Sequence, residues 1–319
     1  MTARPGPQAT PAPPPAAPRT PAAPPAPRRR SREELPHLPL HALLVTATVV
    51  TLYPILWVVA IAFSGRQNLA IVDVPADAAF LDRLRAIVPW PAHWSIANFV
   101  SVFTDQPFAR WMLNSAVVAA LAALIGVGLA CFAAYAFSRF RFPGQRIGMM
   151  SFLVSQMFPG TLMLIPLYII VVQWLGLGST RAGLLLVYAT TSIPFSIWML
   201  KGYFDTIPRE LEEAAIMEGA GAGTVFWRIV LPLAKPALAI TALFSFMSAW
   251  NEFILAATFM DKEEMYTAPV GLRFFVGGFS QQWGYFAAGS ILVSIPVVVL
   301  FLYLQKYLVS GLTAGSVKG

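Results

Sequence analysis

The sequence predicts an all-α membrane protein with six transmembrane helices, and two observations support this fold class. Of the 319 residues, 57% are hydrophobic and only 12% are charged, whereas a soluble domain has about 25% charged residues. Long apolar runs without charge also recur along the chain, and about 20 such residues are enough to cross the hydrocarbon core of a bilayer. Both observations nearly exclude a soluble enzyme.

Six apolar runs define the predicted spans. The first extends for 24 residues between His41 and Arg66, and the fifth contains Glu252 as its one charged residue. Because a bilayer offers no water to backbone N–H and C=O groups, continuous runs of this kind favour helices over the short alternating strands of a barrel. The predicted helices cover residues 42–63, 112–137, 148–172, 183–201, 237–260 and 284–306.

The distribution of Lys and Arg predicts that both termini are cytoplasmic. Cytoplasmic loops of membrane proteins carry an excess of these residues. With the N-terminus inside, the cytoplasmic side would hold 15 of the 22 Lys and Arg residues and the opposite side seven. The chain is therefore predicted to cross a membrane several times with both termini on the cytoplasmic side.

Residues 1–35 are predicted to form a disordered cytoplasmic tail. Of the first 27 residues, 11 are proline and eight are alanine, which is typical of flexible, partly polyproline segments. A proline-rich ligand for a partner is the alternative. The first 32 residues hold six arginines and no acidic residue, whereas residues 33–319 carry a net charge of only +1. The excess charge thus favours contact with membrane lipid, and no nucleic acid is expected as a partner.

The chain lacks the residues that would drive transport or chemistry by itself. No G-x-x-x-x-G-K-[ST] phosphate-binding motif occurs, and Glu252 is the one carboxylate well inside a predicted span. Proton- or sodium-driven carriers usually have several such groups or broken-helix pairs. With one cysteine and three histidines, no Cys/His metal cluster is expected. We therefore predict no catalytic residue, no bound cofactor or metal, and an energy source in another protein.

The segment between the fourth and fifth spans, residues 205–232, predicts two short helices. Pro208 suits a first helical turn, and the three glutamates that follow within five residues lie where the helix dipole favours acids. Gly219 and Gly221 should end this helix, and a second apolar stripe is closed by Pro232. A helix–turn–helix with a small-residue face is suited to enter a cleft on a partner. An ordinary connector between two spans is the alternative.

The spacing in this segment resembles the signature of membrane subunits of ABC importers. The pattern E-A-A-x3-G-x9-I-x-L-P is matched without a departure at Glu213, Ala214, Ala215, Gly219, Ile229, Leu231 and Pro232. The resemblance implies a coupling loop that docks into a groove on a separate ATPase subunit, where Glu213 anchors it and Gly219 allows the turn. ATP and Mg would be bound by that ATPase and not by this chain.

The resemblance extends over residues 36–319, towards carbohydrate-importer permeases. It is carried by Ala133–Gly144, by the pair Asn114 and Ser115, and by Trp250–Phe253. It implies the type I permease fold of ABC importers and a location in a bacterial plasma (inner) membrane.

The last nine residues, Gly311–Gly319 with the sequence GLTAGSVKG, resemble the ending of the smaller permease subunit of maltose/maltodextrin importers. This resemblance implies a permease domain at residues 36–310 and a C-terminal tail at residues 311–319 that contacts the ATPase. The implied contact residues of the tail are Gly315, Lys318 and Gly319. The outer loop Asp261–Trp283 would enter the sugar cleft of a binding protein.

The implied function is half of the translocation path of an ATP-driven importer for maltose or maltodextrin. The implied partners are a second, larger permease subunit, an ATPase homodimer and an extracytoplasmic sugar-binding protein. The same machinery for another sugar or polyol, such as trehalose or glycerol phosphate, is an alternative. A passive channel or a membrane-embedded enzyme is a third hypothesis, but a channel would not need the loop motif and an enzyme would need more reactive groups at membrane depth.

Asn251 and Glu252 are the candidate residues of the translocation path. An unpaired carboxylate at membrane depth costs about 3 kcal/mol or more, so Glu252 should be paired, protonated or in water. It could line the path or bond the partner permease, or it could make a structural bond that holds the fifth helix in the bundle. Gln156, Tyr168 and Tyr188 could meet sugar hydroxyls, although nothing in the sequence places them at the lumen.

Three further sets of residues are predicted to shape the bundle. Prolines inside spans allow kinks, although membrane helices also tolerate proline without a functional role. Small residues of the second span favour close helix packing. Tryptophans near span ends favour the membrane interface. These sets are Pro159, Pro166, Pro194 and Pro296; Ala119, Ala122, Ala123, Gly126 and Gly128; and Trp90, Trp94 and Trp111.

Overall fold

The computed structural model describes residues 38–315 except positions 73, 74, 76, 78, 92, 279 and 280, and within these residues the regular structure is helical without a strand. The α-helices are α1 Leu38–Ala62, α2 Phe80–Ile87, α3 Ala97–Thr104, α4 Phe108–Arg139, α5 Gln145–Met157, α6 Leu164–Tyr168, α7 Arg181–Phe204, α8 Glu210–Met217, α9 Ala222–Val225, α10 Leu231–Leu233, α11 Lys235–Asn251, α12 Ile254–Phe259, α13 Ala268–Val276 and α14 Trp283–Gly315. Short 3-10 segments at Gly160–Met163 and Glu263–Met265, and π segments at Ile169–Trp174 and Phe226–Val230, lie between them.

The chain divides by its contacts into residues 1–49 and residues 50–319. The described part of the first unit is the beginning of α1, and the predicted tail 1–35 lies outside the described residues. All packing reported below is within the second unit.

Four of the described helices are long and apolar enough to cross a membrane: Pro39–Ala62, Phe108–Arg139, Arg181–Phe204 and Trp283–Tyr307. Two bent pairs also qualify, Gln145–Met157 with Gly160–Trp174 and Ala222–Leu233 with Lys235–Asn251. The all-α prediction is thereby confirmed, with four to six candidate spans. The count of six stays a prediction.

The predicted third span, 148–172, is not one continuous helix. The axes of its two halves differ in direction by 100°. The break falls at Phe158, whose backbone is extended (φ −72°, ψ 129°). Phe158 precedes Pro159, and the ring of a proline disfavours the helical conformation of the residue before it. Pro194 and Pro296, by contrast, lie inside the unbroken helices α7 and α14.

The predicted fifth span, 237–260, is also interrupted. Helix α11 ends at Asn251, Glu252 is extended (φ −69°, ψ 125°), and α12 begins at Ile254. The Glu252 carboxylate accepts hydrogen bonds from the backbone N–H groups of Leu255 at 2.8 Å and Ala256 at 3.0 Å. The first backbone N–H groups of a helix have no partner within the helix, and the Glu252 carboxylate bonds two of them at the start of α12. This cap stabilises a new helix start after Glu252, so the span is interrupted here.

Helices α4 and α7 form the centre of the bundle. They run parallel, since Arg181 bonds Asn114 near their first turns and Ser138 bonds Asp205 at their last. Small side chains of α4 allow the close approach, and the buried residues among those predicted are Ala119, Ala122, Ala123 and Gly126. The predicted packing role is confirmed for these four residues and is wrong for Gly128, where a Cβ atom would meet nothing within 4 Å. Helix α11 packs against both helices and runs in the opposite direction to α7, since Ser245 bonds Ser196 and the later Glu252 bonds the earlier Tyr188.

The prediction that Trp111 lies at the membrane interface is wrong. Its side chain is 1% exposed, and its indole N–H donates a 3.0 Å hydrogen bond to the carbonyl of Glu263. The ring lies against Gly271 of α13, where there is no room for a Cβ atom. Helix α13, which lies between α12 and α14, therefore covers this tryptophan, whereas Trp90 and Trp94 are 66% and 52% exposed.

Gly271→Ala tests this contact. The added methyl group would overlap the Trp111 ring, and overpacking of this kind costs about 1–3 kcal/mol. We expect a lower thermal unfolding midpoint of the purified protein in detergent. Gly128→Ala is the matched control, because a Cβ atom there meets nothing within 4 Å. Equal midpoints for Gly271→Ala and the wild type would contradict the packing described.

Candidate functional site

The 205–232 segment forms the two short helical stretches that the sequence predicts. Helix α8 ends at Met217, and Gly219 follows with φ +90°, a left-handed conformation that glycine adopts without steric cost. The N–H groups of Gly219 and Ala220 both donate at 2.9 Å, to the carbonyls of Ile216 and Ala215. These bonds close the end of α8 and turn the chain towards α9.

A buried ion pair ties α8 to the end of α4. Arg139 donates through Nε to Oε1 of Glu212, and the two side chains are 7% and 10% exposed. The hydroxyl of Tyr135 donates to the other carboxylate oxygen at 3.1 Å, and a guanidinium nitrogen of Arg139 donates to the carbonyl of Ile207 at 3.1 Å. Removing one member would leave a buried charge without its partner, so the pair fixes the position of α8.

A second polar group fixes the entry to the segment. Ser138 and Lys201 each donate to the Asp205 carboxylate at 2.6 Å, and Arg209 donates to the carbonyl of Ser138 at 3.0 Å. Burial alone would raise the pKa of Asp205, but hydrogen bonds from Lys201 and Ser138, with attraction to Lys201 and Arg139, lower it below its usual value. Asp205 is therefore held as a carboxylate at the end of α7.

Apolar side chains hold the second half of the segment against the bundle. Val225, Phe226 and Val230 are buried in one cluster with residues from α4 and α7. Phe226 also meets the Tyr135 ring with centroids 4.8 Å apart. Polar bonds on α8 and apolar packing after α9 thus anchor both halves of the turn.

The motif residues divide into an exposed set and a partly covered set. Glu213, Ala214, Gly219 and Pro232 are exposed, whereas Ala215, Ile229 and Leu231 are partly buried. Beside Glu213 the apolar side chains of Ile216 and Met217 are 56% and 87% exposed. An apolar patch rimmed by polar residues is typical of an interaction surface, and we call the exposed residues Glu213, Ala214, Ile216, Met217 and Gly219 the docking face.

The two path candidates differ in their surroundings. Besides capping α12, Glu252 accepts a 3.0 Å hydrogen bond from the hydroxyl of Tyr188 on α7, a bond that links α7 to α12. Asn251 is exposed and donates to the carbonyl of Met247 at 2.9 Å. The contacts of Glu252 favour the structural alternative for this residue.

A further polar cluster, which sequence reasoning did not assign, lies at the opposite end of α4. Asn114 donates to the carbonyls of Glu264 and Tyr266, both at 2.9 Å, and Ser115 accepts from the N–H of Ala268 at 2.8 Å. Both side chains are buried. They hold residues 264–268, between α12 and α13, on the bundle, and the one sequence signal for them is their place in the resemblance.

The C-terminal contact residues are mostly beyond the described part of the chain. Gly315 is the last residue of α14, which continues past the predicted boundary at 310. Lys318 and Gly319 lie outside the described residues. Among the residues that are described, no group of three or more His, Cys, Asp and Glu side chains is placed to hold a metal ion.

Residues 126–313 match the family described as "Binding-protein-dependent transport system inner membrane component". This range contains the whole 205–232 segment. The chain belongs to this family. It is a membrane permease subunit of the ABC transporter class, and the resemblance to carbohydrate-importer permeases is confirmed.

Two curated relatives and one solved structure are similar to this permease. The maltodextrin transport system permease protein MalD of Streptococcus pneumoniae is 33% identical over 92% of this chain and 98% of its own length. The maltose/maltodextrin transport system permease protein MalG of Escherichia coli K12 is 34% identical over 88% and 95%. A bacterial ABC transporter for import of the acidic polysaccharide alginate has a chain with TM-score 0.70 and 24% identity, covering 87% of this chain and 98% of that one. The last likeness confirms the fold.

Glu212→Ala and Glu213→Ala test which glutamate holds the segment. Loss of Glu212 leaves Arg139 buried without its partner, which lowers the free energy of unfolding by about 3 kcal/mol or more. Loss of the exposed Glu213 should change stability by less than about 0.5 kcal/mol. Chemical denaturation of the purified permease measures both. Equal losses for the two variants would contradict the assigned anchor.

The lowered pKa of Asp205 predicts a pH dependence of stability. A carboxyl group with a depressed folded pKa stabilises the fold above its unfolded pKa, about 3.9, and loses that contribution as the pH falls through the folded value. The unfolding midpoints of wild type and Asp205→Asn should therefore differ at pH 7 and converge in acid. A difference that stays constant down to acidic pH would contradict the role of this carboxylate.

Proposed function

We propose that this permease forms one half of the translocation path of an ATP-driven importer for maltose or maltodextrin. The 205–232 segment would couple it to a separate ATPase. The family and the substrates named for MalD and MalG support this proposal. The chain itself carries out no chemistry in this account, and ATP and Mg are bound by the ATPase.

The observation that carries the proposal is the contrast between two neighbouring glutamates. Glu212 is buried against Arg139, whereas Glu213 projects from the exposed side of the same helix. A partner that docks at Glu213 therefore moves a helix whose other side is bonded to α4. A displacement produced by closure of the ATPase dimer would be passed to α4 and its neighbour α7, because packed helices move as rigid elements.

The assembly and topology proposed follow from this role. The two bent pairs count as spans, six in all, and both termini face the cytoplasm of a bacterial plasma membrane, in contact with its lipid. The partners are a second, larger permease subunit, an ATPase homodimer and an extracytoplasmic sugar-binding protein. Gly315, Lys318 and Gly319 would contact the ATPase, Asn251 would face the path, and Glu252 would hold the helices beside it.

The docking face predicts the effect of Glu213→Ala and Gly219→Ala on coupling. The first removes the charged anchor, and the second places a Cβ at φ +90°, a conformation that costs a side chain about 1–2 kcal/mol. Loss of about 1.4 kcal/mol of docking free energy would lower ATP hydrolysis stimulated by the sugar-loaded binding protein about tenfold. The reconstituted complete transporter is the system to measure.

Gly221→Ala is the matched control for this experiment. Gly221 has φ −73°, and a Cβ atom there meets nothing within 4 Å, so normal coupling is expected. Stimulated hydrolysis at the wild-type rate in both test variants would overturn the coupling role. Uptake of trehalose or glycerol phosphate in place of maltodextrin would move the proposal to those substrates, and uptake without ATP would favour a channel.

A further inference from the structure

A cavity of about 430 Å³ lies between α5, α7 and α11, and polar side chains interrupt its mainly apolar lining surface. Its lining residues are Gln156, Thr191, Ser192, Phe195, Phe244, Ser245 and Ser248. Five of these seven carry a hydroxyl or an amide, and none carries a charge. Three other cavities, between α1 and α14, near Trp283, and between α4 and α11, have almost wholly apolar linings.

The polar groups of this cavity retain hydrogen-bonding capacity. Thr191 and Ser192 donate to carbonyls one turn earlier, at 3.0 and 3.2 Å, so their oxygen lone pairs can still accept. The side chains of Gln156 and Ser248 are exposed and make no hydrogen bond within the described part of the chain. Polar side chains at membrane depth face a protein interior or a water-filled cavity and mark substrate paths.

Two aromatic rings complete the wall. Phe195 of α7 and Phe244 of α11 meet edge to face, with ring centroids 6.3 Å apart and planes at 79°. They are 43% and 47% exposed, so part of each ring surface is open to an occupant. A sugar ring presents C–H groups on its faces and hydroxyls around its edge. An aromatic wall beside convergent polar groups is the type of surface that fits such a ligand.

We propose that this cavity is a subsite for an uncharged oligosaccharide on the translocation path. Phe195 and Phe244 would contact a sugar ring face, and Gln156, Thr191 and Ser248 would bond its hydroxyls. The absence of a positive charge among the seven lining residues argues against a uronate or phosphate ligand, because a desolvated anion requires a paired cation. This proposal rests on the proposed sugar-import function, adds a binding site within this chain to it, and excludes the charged alternative substrate, glycerol phosphate.

The test uses the complete transporter in proteoliposomes, with maltotriose as probe and maltotriose uptake measured per ATP hydrolysed. Gln156→Ala and Ser248→Ala each remove one hydrogen-bonding side chain. We expect each variant to lower uptake per ATP about three- to tenfold, as loss of one hydrogen bond does, while hydrolysis stimulated by the binding protein is retained. Ser155→Ala, next to Gln156 but outside the lining, is the matched control with unchanged uptake.

The outcomes separate this subsite from the proposed function. If the wild type shows no ATP-dependent sugar uptake, the import function itself is wrong. If the wild type transports maltotriose and both variants keep its uptake per ATP, the subsite is wrong. Parallel loss of uptake and hydrolysis would mean that the residues act on assembly, which also overturns it. Preference of the wild type for a triuronate over maltotriose would overturn the assignment of an uncharged ligand.

Discussion

The buried ion pair between Arg139 and Glu212 is the interaction on which the candidate coupling site depends. Without it, α8 would be one short helix on a connector between two spans, and short isolated helices are marginal in water. With it, the helix is bonded on one side to the last turn of α4 and exposed on the other. The bonds from Tyr135 and to the carbonyl of Ile207 satisfy further groups of the pair, as a buried ion pair requires. The docking face therefore has a defined position before any partner binds.

Helix α4 connects two anchored loops that lie far apart. Its 32 residues extend for about 48 Å at the rise of an α-helix. At its end the Arg139 pair holds the docking face, and near its start Trp111, Asn114 and Ser115 hold residues 263–268. Between them, small side chains keep α4 packed along α7, and the polar cavity opens on α7 and its neighbours α5 and α11. In the proposed importer, one helix pair thus links the ATPase side to the outer side and borders the path.

The sequence predicts the long apolar helices well and the interruptions of the predicted third and fifth spans poorly, for physical reasons. Span positions follow from hydropathy, which is local. Pro159 breaks its span whereas Pro194 and Pro296 do not, because the surrounding packing decides whether a bend is tolerated. In the sequence, Glu252 is compatible with a path role or a structural role. Its bonds to Leu255, Ala256 and Tyr188 favour the structural role, and they depend on the folded arrangement of α7 and α12. The motif marks residues 205–232 as the candidate coupling loop, but it does not show that Glu212 is the anchor of the loop, since the partner of Glu212 lies 73 residues earlier on another helix.

A double-mutant cycle on ATP-driven sugar uptake tests the central claim most directly. The four proteins are the wild type, Arg139→Ala, Glu212→Ala and the double variant, each reconstituted with its partners. If the pair acts as a unit, either single substitution disconnects the docking face, and the double variant loses little more than the worse single variant. Losses that add in the double variant, or single variants that transport at the wild-type rate, would contradict the claim that this ion pair carries the coupling.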